Sequence, residues 1–190
     1  MKPFSDEYFN NLACMILNQK FNLNLEDRKK IIGTDRPDLY DSKKSIGIEV
    51  TQVISKEEGY CRSFFQKKFS KEDIKNKLES NKYKKFFNDK EDSISFILPA
   101  SKEKPIITSI KEKLELLNSG YTIYDINGLF LYAFNFFEPN VKQAVMEYEV
   151  LKENYQYKFD IIYILTTTQL FEYKNNKLNC YNINLDLFRA

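Results

Sequence analysis

Residues 36–52 constrain the fold of this chain more than any other segment. Two stretches of extended character, residues 36–40 and 46–52, flank a polar, turn-like run at 41–45. In the second stretch, successive side chains alternate between the two faces of a strand. One face carries Ile46, Ile48, Val50 and Gln52, and the other carries Gly47, Glu49, Thr51 and Val53. The segment therefore predicts a β-hairpin with one apolar face and a glutamate on the opposite face.

Two carboxylates occupy neighbouring strands of this predicted hairpin. Asp38 follows Pro37 at the start of the first strand, and Glu49 lies within the second. Because Mg²⁺ is held by one or two carboxylates together with water and substrate phosphate, such a pair predicts a metal site. The backbone carbonyl of Val50 is a further candidate oxygen ligand. A second interpretation stays open, in which Asp38 caps a turn and Glu49 lies on a solvated sheet face.

Composition excludes several kinds of active site. The chain has no histidine, five glycines and three scattered cysteines. It therefore contains no Ser-His-Asp triad, no Cys-His pair, no HExxH zinc site and no glycine-rich phosphate loop. Any catalysis must rest on carboxylates, lysines, hydroxyl groups and a metal ion.

The sequence predicts a cytoplasmic protein with no membrane partner. No apolar run approaches the roughly 20 residues of a membrane span. The N-terminus turns acidic and amphipathic from Asp6 onward, unlike a signal peptide. The odd number of cysteines, without CxxC spacing, indicates reduced thiols.

The order of periodic segments predicts an α/β fold. At 190 residues and 43% hydrophobic content, the chain is most simply one domain, residues 1–190. Helices are predicted over 5–20, 60–90 (as two helices), 106–118 and 139–155, and strands over 38–40, 46–53, 127–134, 159–167, 169–173 and 177–183. These elements give a mixed central β-sheet flanked by helices. The sheet is interrupted by a helical insertion at about 56–118.

The first part of that insertion, residues 56–92, is basic and rich in aromatic residues. From Lys56 to Lys90 the chain has 11 Lys or Arg against 6 Asp or Glu. Such a segment could hold a nucleic-acid backbone and stack unpaired bases. A solvated, lysine-rich helix face with aromatic residues in the core is the alternative.

The hairpin resembles the active-site hairpin of the PD-(D/E)xK nuclease superfamily in two motifs. Asp38 after a proline resembles the first motif, and Glu49 in the sequence Ile-Glu-Val-Thr resembles the second. The resemblance implies that Asp38 and Glu49 bind Mg²⁺ or Mn²⁺ in a catalytic site for phosphodiester hydrolysis. Thr51 stands where the superfamily usually carries lysine, so it fills a catalytic position without the charge.

The element order is similar to the restriction-endonuclease-like core, which has a helix, three strands, a helix and a further strand. Residues 128–134 would be the third core strand and 139–155 the crossover helix. In many members of the superfamily a glutamate on the first helix binds metal, which makes Glu7 a further candidate ligand. Its place in the first helical turn is equally ordinary for an acidic residue, because the helix dipole favours it there.

Two lysines on the helix predicted over 106–118 are candidates for the missing catalytic charge. In other members of the superfamily the lysine comes from another element, and this helix is expected to pack beside the sheet. Lys113 and Lys111 are the two candidates. A solvated helix face is the alternative for each.

Two functions follow from these residues and the resemblance. The first is a metal-dependent nuclease that cleaves DNA or RNA, of a type found in mobile-element or defence systems. The second is a catalytically inactive binding protein with a nuclease fold, such as an immunity protein that neutralises a toxin. Nucleic acid is the expected partner of the first and a toxin of the second, and homodimerisation stays open.

Overall fold

The computed structural model of the chain describes residues 5–27, 37–55, 87–90, 93–96 and 105–185. The polypeptide divides into two compact units. The larger comprises Asp6–Val53 and Pro105–Ala190, and the smaller comprises Met1–Ser5 and Ile54–Lys104. The smaller unit includes the basic segment predicted over 56–92. Every residue singled out for the metal site belongs to the larger unit.

The described residues contain nine strands. They are β1 (Glu26–Asp27), β2 (Leu39–Asp41), β3 (Ile46–Gln52), β4 (Phe87–Lys90), β5 (Ser93–Phe96), β6 (Ile126–Tyr132), β7 (Ile161–Leu165), β8 (Gln169–Lys174) and β9 (Lys177–Asn182). Seven of them form one mixed sheet in the order β1-β2-β3-β6-β7-β8-β9. The pairs β3–β6 and β6–β7 are parallel, and the other neighbours are antiparallel.

Three α-helices flank this sheet in the part of the chain that the structure describes. They are α1 (Asp6–Phe21), α2 (Ile106–Ser119) and α3 (Glu138–Leu151), the last followed by a 3-10 turn at Lys152–Asn154. Proline precedes α2 and lies in the first turn of α3, where its missing N–H leaves no helical bond unmade. These helices confirm the predictions over 5–20, 106–118 and 139–155. None of them is long and apolar enough to cross a membrane.

The two faces of the sheet are covered by different helices. On one face, α1 buries Phe9, Leu12, Ala13, Ile16 and Leu17 against Ile46, Ile48, Phe130, Tyr132, Ile161 and Tyr163. On the other face, α2 and α3 bury Ile110, Leu114, Leu117, Val141 and Tyr148 against Val53, Leu129, Leu131, Ile162 and Ile164. Burying one such aliphatic side chain contributes about 1.5–3 kcal/mol. The alternation predicted for β3 is confirmed, and the mixed sheet flanked by helices is the α/β arrangement expected from the sequence.

The helical insertion predicted at about 56–118 is wrong for part of its length. Residues of β4 and β5 pair as an antiparallel hairpin in the smaller unit. A helix was predicted here because the phenylalanines up to Phe87 have helical spacing. Ser93–Phe96, in contrast, alternates polar and apolar residues with the period of a strand. The prediction of a helix over 106–118 is confirmed by α2. Residues 56–86 lie outside the described part of the chain.

Candidate metal centre

The register of the β2–β3 hairpin brings Asp38 and Glu49 together. Leu39 pairs with Ile48, so continuing the antiparallel register by one residue places Asp38 opposite Glu49. Side chains of directly opposite residues project from the same face of a sheet, with Cβ atoms about 5 Å apart. The backbone N–H of Val50 donates a 2.8 Å hydrogen bond to Oδ2 of Asp38, which fixes this carboxylate against β3.

Gly47 allows the entry to the hairpin to pack closely. A Cβ atom at this position would lie 2.5 Å from Cδ2 of Tyr124 and 2.7 Å from Cγ of Pro37. Only a residue without a Cβ leaves room for both rings on this side of β3. The glycine therefore lets Pro37 pack on the strand and positions Asp38 beside Glu49.

The helix α2 contributes a cation to Glu49. Nζ of Lys113 donates a 2.7 Å hydrogen bond to Oε1 of Glu49. The hydroxyl of Tyr121, just beyond the end of α2, donates to the same oxygen at 2.7 Å. The side chain of Glu49 is 6% exposed and that of Lys113 is 22% exposed, so the ion pair lies largely out of solvent. Hydrogen bonds to an ionised group in such surroundings are short and strong.

The second oxygen of Glu49 has no such support. Oε2 is buried, and no hydrogen-bond donor contacts it among the residues that the structure describes. Leaving a buried polar atom unsatisfied costs about 1–3 kcal/mol, and more for a charged group. A cation beside Asp38 would satisfy this oxygen. Asp38 and Glu49 therefore form a candidate site for a hard divalent cation.

The electrostatic environment of Asp38 supports the same assignment. Burial and the negative charge of Glu49, with burial the larger cause, raise the pKa of Asp38 from 3.8 to about 7. The N–H of Val50, the charge of Lys113 and the Asn10 amide oppose this rise in the pKa. A buried carboxyl group with a raised pKa beside a second acidic side chain is a candidate for cation binding or proton transfer.

The predicted site residues have different outcomes. Asp38, Glu49 and Lys113 are brought together as expected. Thr51 lies two residues after Glu49 on β3 and so projects from the same face of the sheet. Lys111 is exposed instead, with its Nζ 4.0 Å from Oε1 of Glu115.

The two remaining predicted ligands stay predictions. Val50 contacts Asp38 through its N–H, and no contact tests its carbonyl as a ligand. Glu7 is exposed in the first turn of α1 and lies one turn before Asn10, whose amide is 3.5 Å from Oδ1 of Asp38. Within residues 5–27, 37–55 and 105–185, no group of three or more acidic, histidine or cysteine side chains is arranged to hold a metal.

Tyr121 and Asn10 are the site residues that sequence reasoning missed. Each is a single polar residue outside any motif, and its role depends on which strand its element packs against. The one available signal was that Asn10 follows Glu7 by three residues, which places both on one side of a helix. Comparison of the chain with protein-family models, curated proteins and solved structures found no match.

Proposed function

We propose that this chain is a Mg²⁺- or Mn²⁺-dependent phosphodiesterase that cleaves DNA or RNA. The observation that carries the proposal is the buried Oε2 of Glu49, which accepts no hydrogen bond from any described residue. Glu49 lies opposite Asp38, and its other oxygen accepts from Lys113 of α2. This arrangement brings two carboxyl groups and one ammonium group to a single place on the sheet, where they could serve as two ligands and one positive charge. Phosphodiester hydrolysis needs both, because the transferring phosphate carries negative charge.

The order and pairing of elements support a restriction-endonuclease-like core. The helix α1 precedes the hairpin β2–β3, the strand β6 pairs with β3 in parallel, and α3 leads to β7 beside β6. If β4, β5 and α2, which come between β3 and β6 in the chain, are counted as an insertion, this order agrees with the helix, three strands, helix and further strand that the resemblance implies. The two carboxylates lie on the hairpin of that core.

Asp38 and Glu49 would hold the cation. When bound, it lowers the pKa of a coordinated water and neutralises charge on the phosphate. Asp38 keeps its proton up to about neutral pH in the metal-free protein and must release it to act as a ligand. Glu49 is held by Lys113 and Tyr121 through Oε1, so its Oε2 is available without a change in those hydrogen bonds.

Lys113 would supply the charge that Thr51 lacks. Its ammonium group reaches the carboxylate centre from α2, on the sheet face where Glu49 projects. A lysine with a partly exposed, flexible stem can pair with Glu49 in the free protein and with a phosphate oxygen in the complex. The hydroxyl of Thr51 is left to donate or accept a hydrogen bond at the same face.

Cleavage assays on purified protein test the proposal. Wild-type protein with Mg²⁺ or Mn²⁺ should cut plasmid DNA, linear DNA or RNA, and EDTA should abolish cutting. Asp38→Ala should remove all activity, and Lys113→Met should lower it about 10²–10³-fold, as loss of one transition-state charge does. Lys111→Met is the matched control and should cut like wild type, whereas a contaminating nuclease would cut equally in all the variants, Asp38→Ala included.

A catalytically inactive binding protein is the second candidate. The Lys113–Glu49 ion pair favours it, because an ammonium group at 2.7 Å already neutralises one of the two carboxylates. A protein whose site had become structural would retain this pair and need no metal. Absence of cleavage on every substrate, together with no heat of Mn²⁺ binding in calorimetry, would support this candidate over the nuclease.

A further inference from the structure

Tyr121 and Lys113 both contact Glu49 of the candidate metal centre, but the proposed reaction gives only Lys113 a part in binding the phosphate. Its hydroxyl donates to Oε1 of Glu49 at 2.7 Å, the distance that Nζ of Lys113 also makes to that atom. Two donors therefore converge on one oxygen, while the other oxygen has none among the described residues. This asymmetry leaves Oε2 as the oxygen of Glu49 that a cation could bind without displacing either donor.

A bound phosphate would affect Lys113 and Tyr121 differently. Lys113 is a cation on a flexible four-carbon stem and is partly exposed, so an incoming phosphate attracts it. Tyr121 is neutral, and its half-buried ring packs against the apolar core formed by α2, α3 and the sheet. A phosphate offers it no comparable attraction. The tyrosine can therefore remain on Glu49 when the lysine leaves.

We propose that Tyr121 is a positioning residue that holds Oε1 of Glu49 so that Oε2 stays directed at the metal while Lys113 engages the phosphate. This inference deepens the proposed function and rests on it. The two donors then have separate roles, since Lys113 acts on the substrate and Tyr121 orients a metal ligand. Hydrogen bonds that orient a ligand commonly change metal affinity about 10–100-fold when they are removed.

Mn²⁺ binding, measured by electron paramagnetic resonance and calorimetry without substrate, tests this division. Tyr121→Phe should weaken Mn²⁺ affinity about 10–100-fold. Lys113→Met should not weaken it, because removing a positive charge beside a cation site removes repulsion. Tyr181→Phe is the matched control. The hydroxyl of Tyr181 also donates to a glutamate, Oε2 of Glu172 at 2.9 Å, but Tyr181 packs against the apolar cluster on the sheet face that α1 covers. This control variant should bind Mn²⁺ like wild type.

Each result has a defined meaning. If Tyr121→Phe binds Mn²⁺ as tightly as wild type, or if both site variants weaken binding equally, the positioning role is overturned while the nuclease proposal stands. If wild type itself neither binds Mn²⁺ nor cleaves nucleic acid, the proposed function fails and this inference fails with it. Thermal melts of all variants in EDTA show that each is folded, and Tyr121→Trp provides a second variant that keeps an aromatic ring.

Discussion

Glu49 is the residue whose contacts most affect the stability of this site. One oxygen accepts from Lys113 and Tyr121, and the other is buried without a donor among the described residues. A buried charge that loses its partner is strongly destabilising, while a satisfied one is close to neutral. The stability of the metal-free protein should therefore respond to each group that touches this carboxylate.

Lys113→Met should destabilise the metal-free protein. Methionine keeps the apolar stem of the side chain but removes the ammonium group, which leaves Tyr121 as the remaining described donor to Glu49. We expect the free energy of unfolding in EDTA to fall by about 1–3 kcal/mol, less than for a fully buried pair, because part of Lys113 is exposed. Urea unfolding followed by circular dichroism measures the change.

The control for this variant lies on the same helix. Lys111 is 56% exposed, and its contact with Glu115 is an exposed pair worth at most about 1 kcal/mol. Lys111→Met should therefore change stability little. Equal losses in the two variants would contradict the assignment of Lys113 to a largely buried ion pair.

Asp38→Asn should stabilise the metal-free protein above neutral pH. Burial, and then the charge of Glu49, raises the pKa of Asp38 from 3.8 to about 7. Between these pH values the unfolded state loses its proton and the folded state keeps it, so the free energy of unfolding falls as pH rises from about 4 to about 7. Asparagine carries no titrating proton and avoids this loss. Its amide oxygen can still accept from the N–H of Val50.

A pH series of urea denaturation curves in EDTA tests the sign. The difference in unfolding free energy between the variant and wild type should grow from about pH 4 to about pH 7 and then level off. It should reach a few kcal/mol, since one pKa unit corresponds to about 1.4 kcal/mol. A difference that does not depend on pH would show that Asp38 is not buried against Glu49.

The sequence located some of the residues at this centre and missed others. Glu49 could be found because it interrupts a strand that is otherwise apolar, and Asp38 because it follows Pro37 at the start of the neighbouring predicted strand. Lys113 could be proposed, together with Lys111, because their helix was expected to pack beside the sheet. Tyr121 and Asn10 could not, because a lone polar residue gains its role from long-range packing. The register that aligns them is visible only in the folded chain.

At the scale of elements, the β2–β3 hairpin depends on one glycine. Gly47→Ala should destabilise the protein by about 1–3 kcal/mol, the usual cost of inserting a methyl group into a packed site. The added Cβ would lie within 2.7 Å of the rings of Tyr124 and Pro37, so one of them must move. Because Pro37 precedes Asp38, Mn²⁺ affinity should fall in the same variant. Chemical denaturation and calorimetry measure the two effects.

Gly120→Ala is the matched control for this substitution. A Cβ at position 120 would meet no atom within 4 Å, and its φ of 175° is an extended value that alanine adopts. This variant should be as stable as wild type or slightly more stable, because alanine restricts the unfolded chain. If the two variants lose the same stability, steric crowding at Gly47 is not the cause.

Element prediction succeeded where a single period dominates a segment. The strand β6 is apolar on both faces because α1 packs on one side and α2 with α3 on the other, and a continuous apolar run predicted this. The hairpin β4–β5 was predicted incorrectly, because aromatic residues at helical spacing outweighed a short alternating stretch. Four-residue strands are stabilised by their partner strand, which the local sequence does not specify.

At the scale of the whole molecule, the sheet joins residues that are distant in the chain. Lys113 lies 64 residues from Glu49, and Tyr132 on β6 donates to the carbonyl of Phe9 on α1, 123 residues away. The candidate metal centre is thus assembled only in the folded larger unit. A cation that binds it stabilises the native state and leaves the unfolded chain unaffected.

Mn²⁺ should therefore raise the melting temperature of the wild-type protein. At a free concentration 100-fold above Kd, binding adds about 2.7 kcal/mol to the free energy of unfolding. For a chain of this length, that corresponds to a rise of roughly 5–10 °C. Glu49→Gln is the control, since its amide oxygen still accepts from Lys113 and Tyr121 while an NH₂ group replaces the unsupported oxygen. Differential scanning calorimetry should show the rise in wild type and little in the variant, whereas an equal rise in both would place the cation elsewhere on the protein.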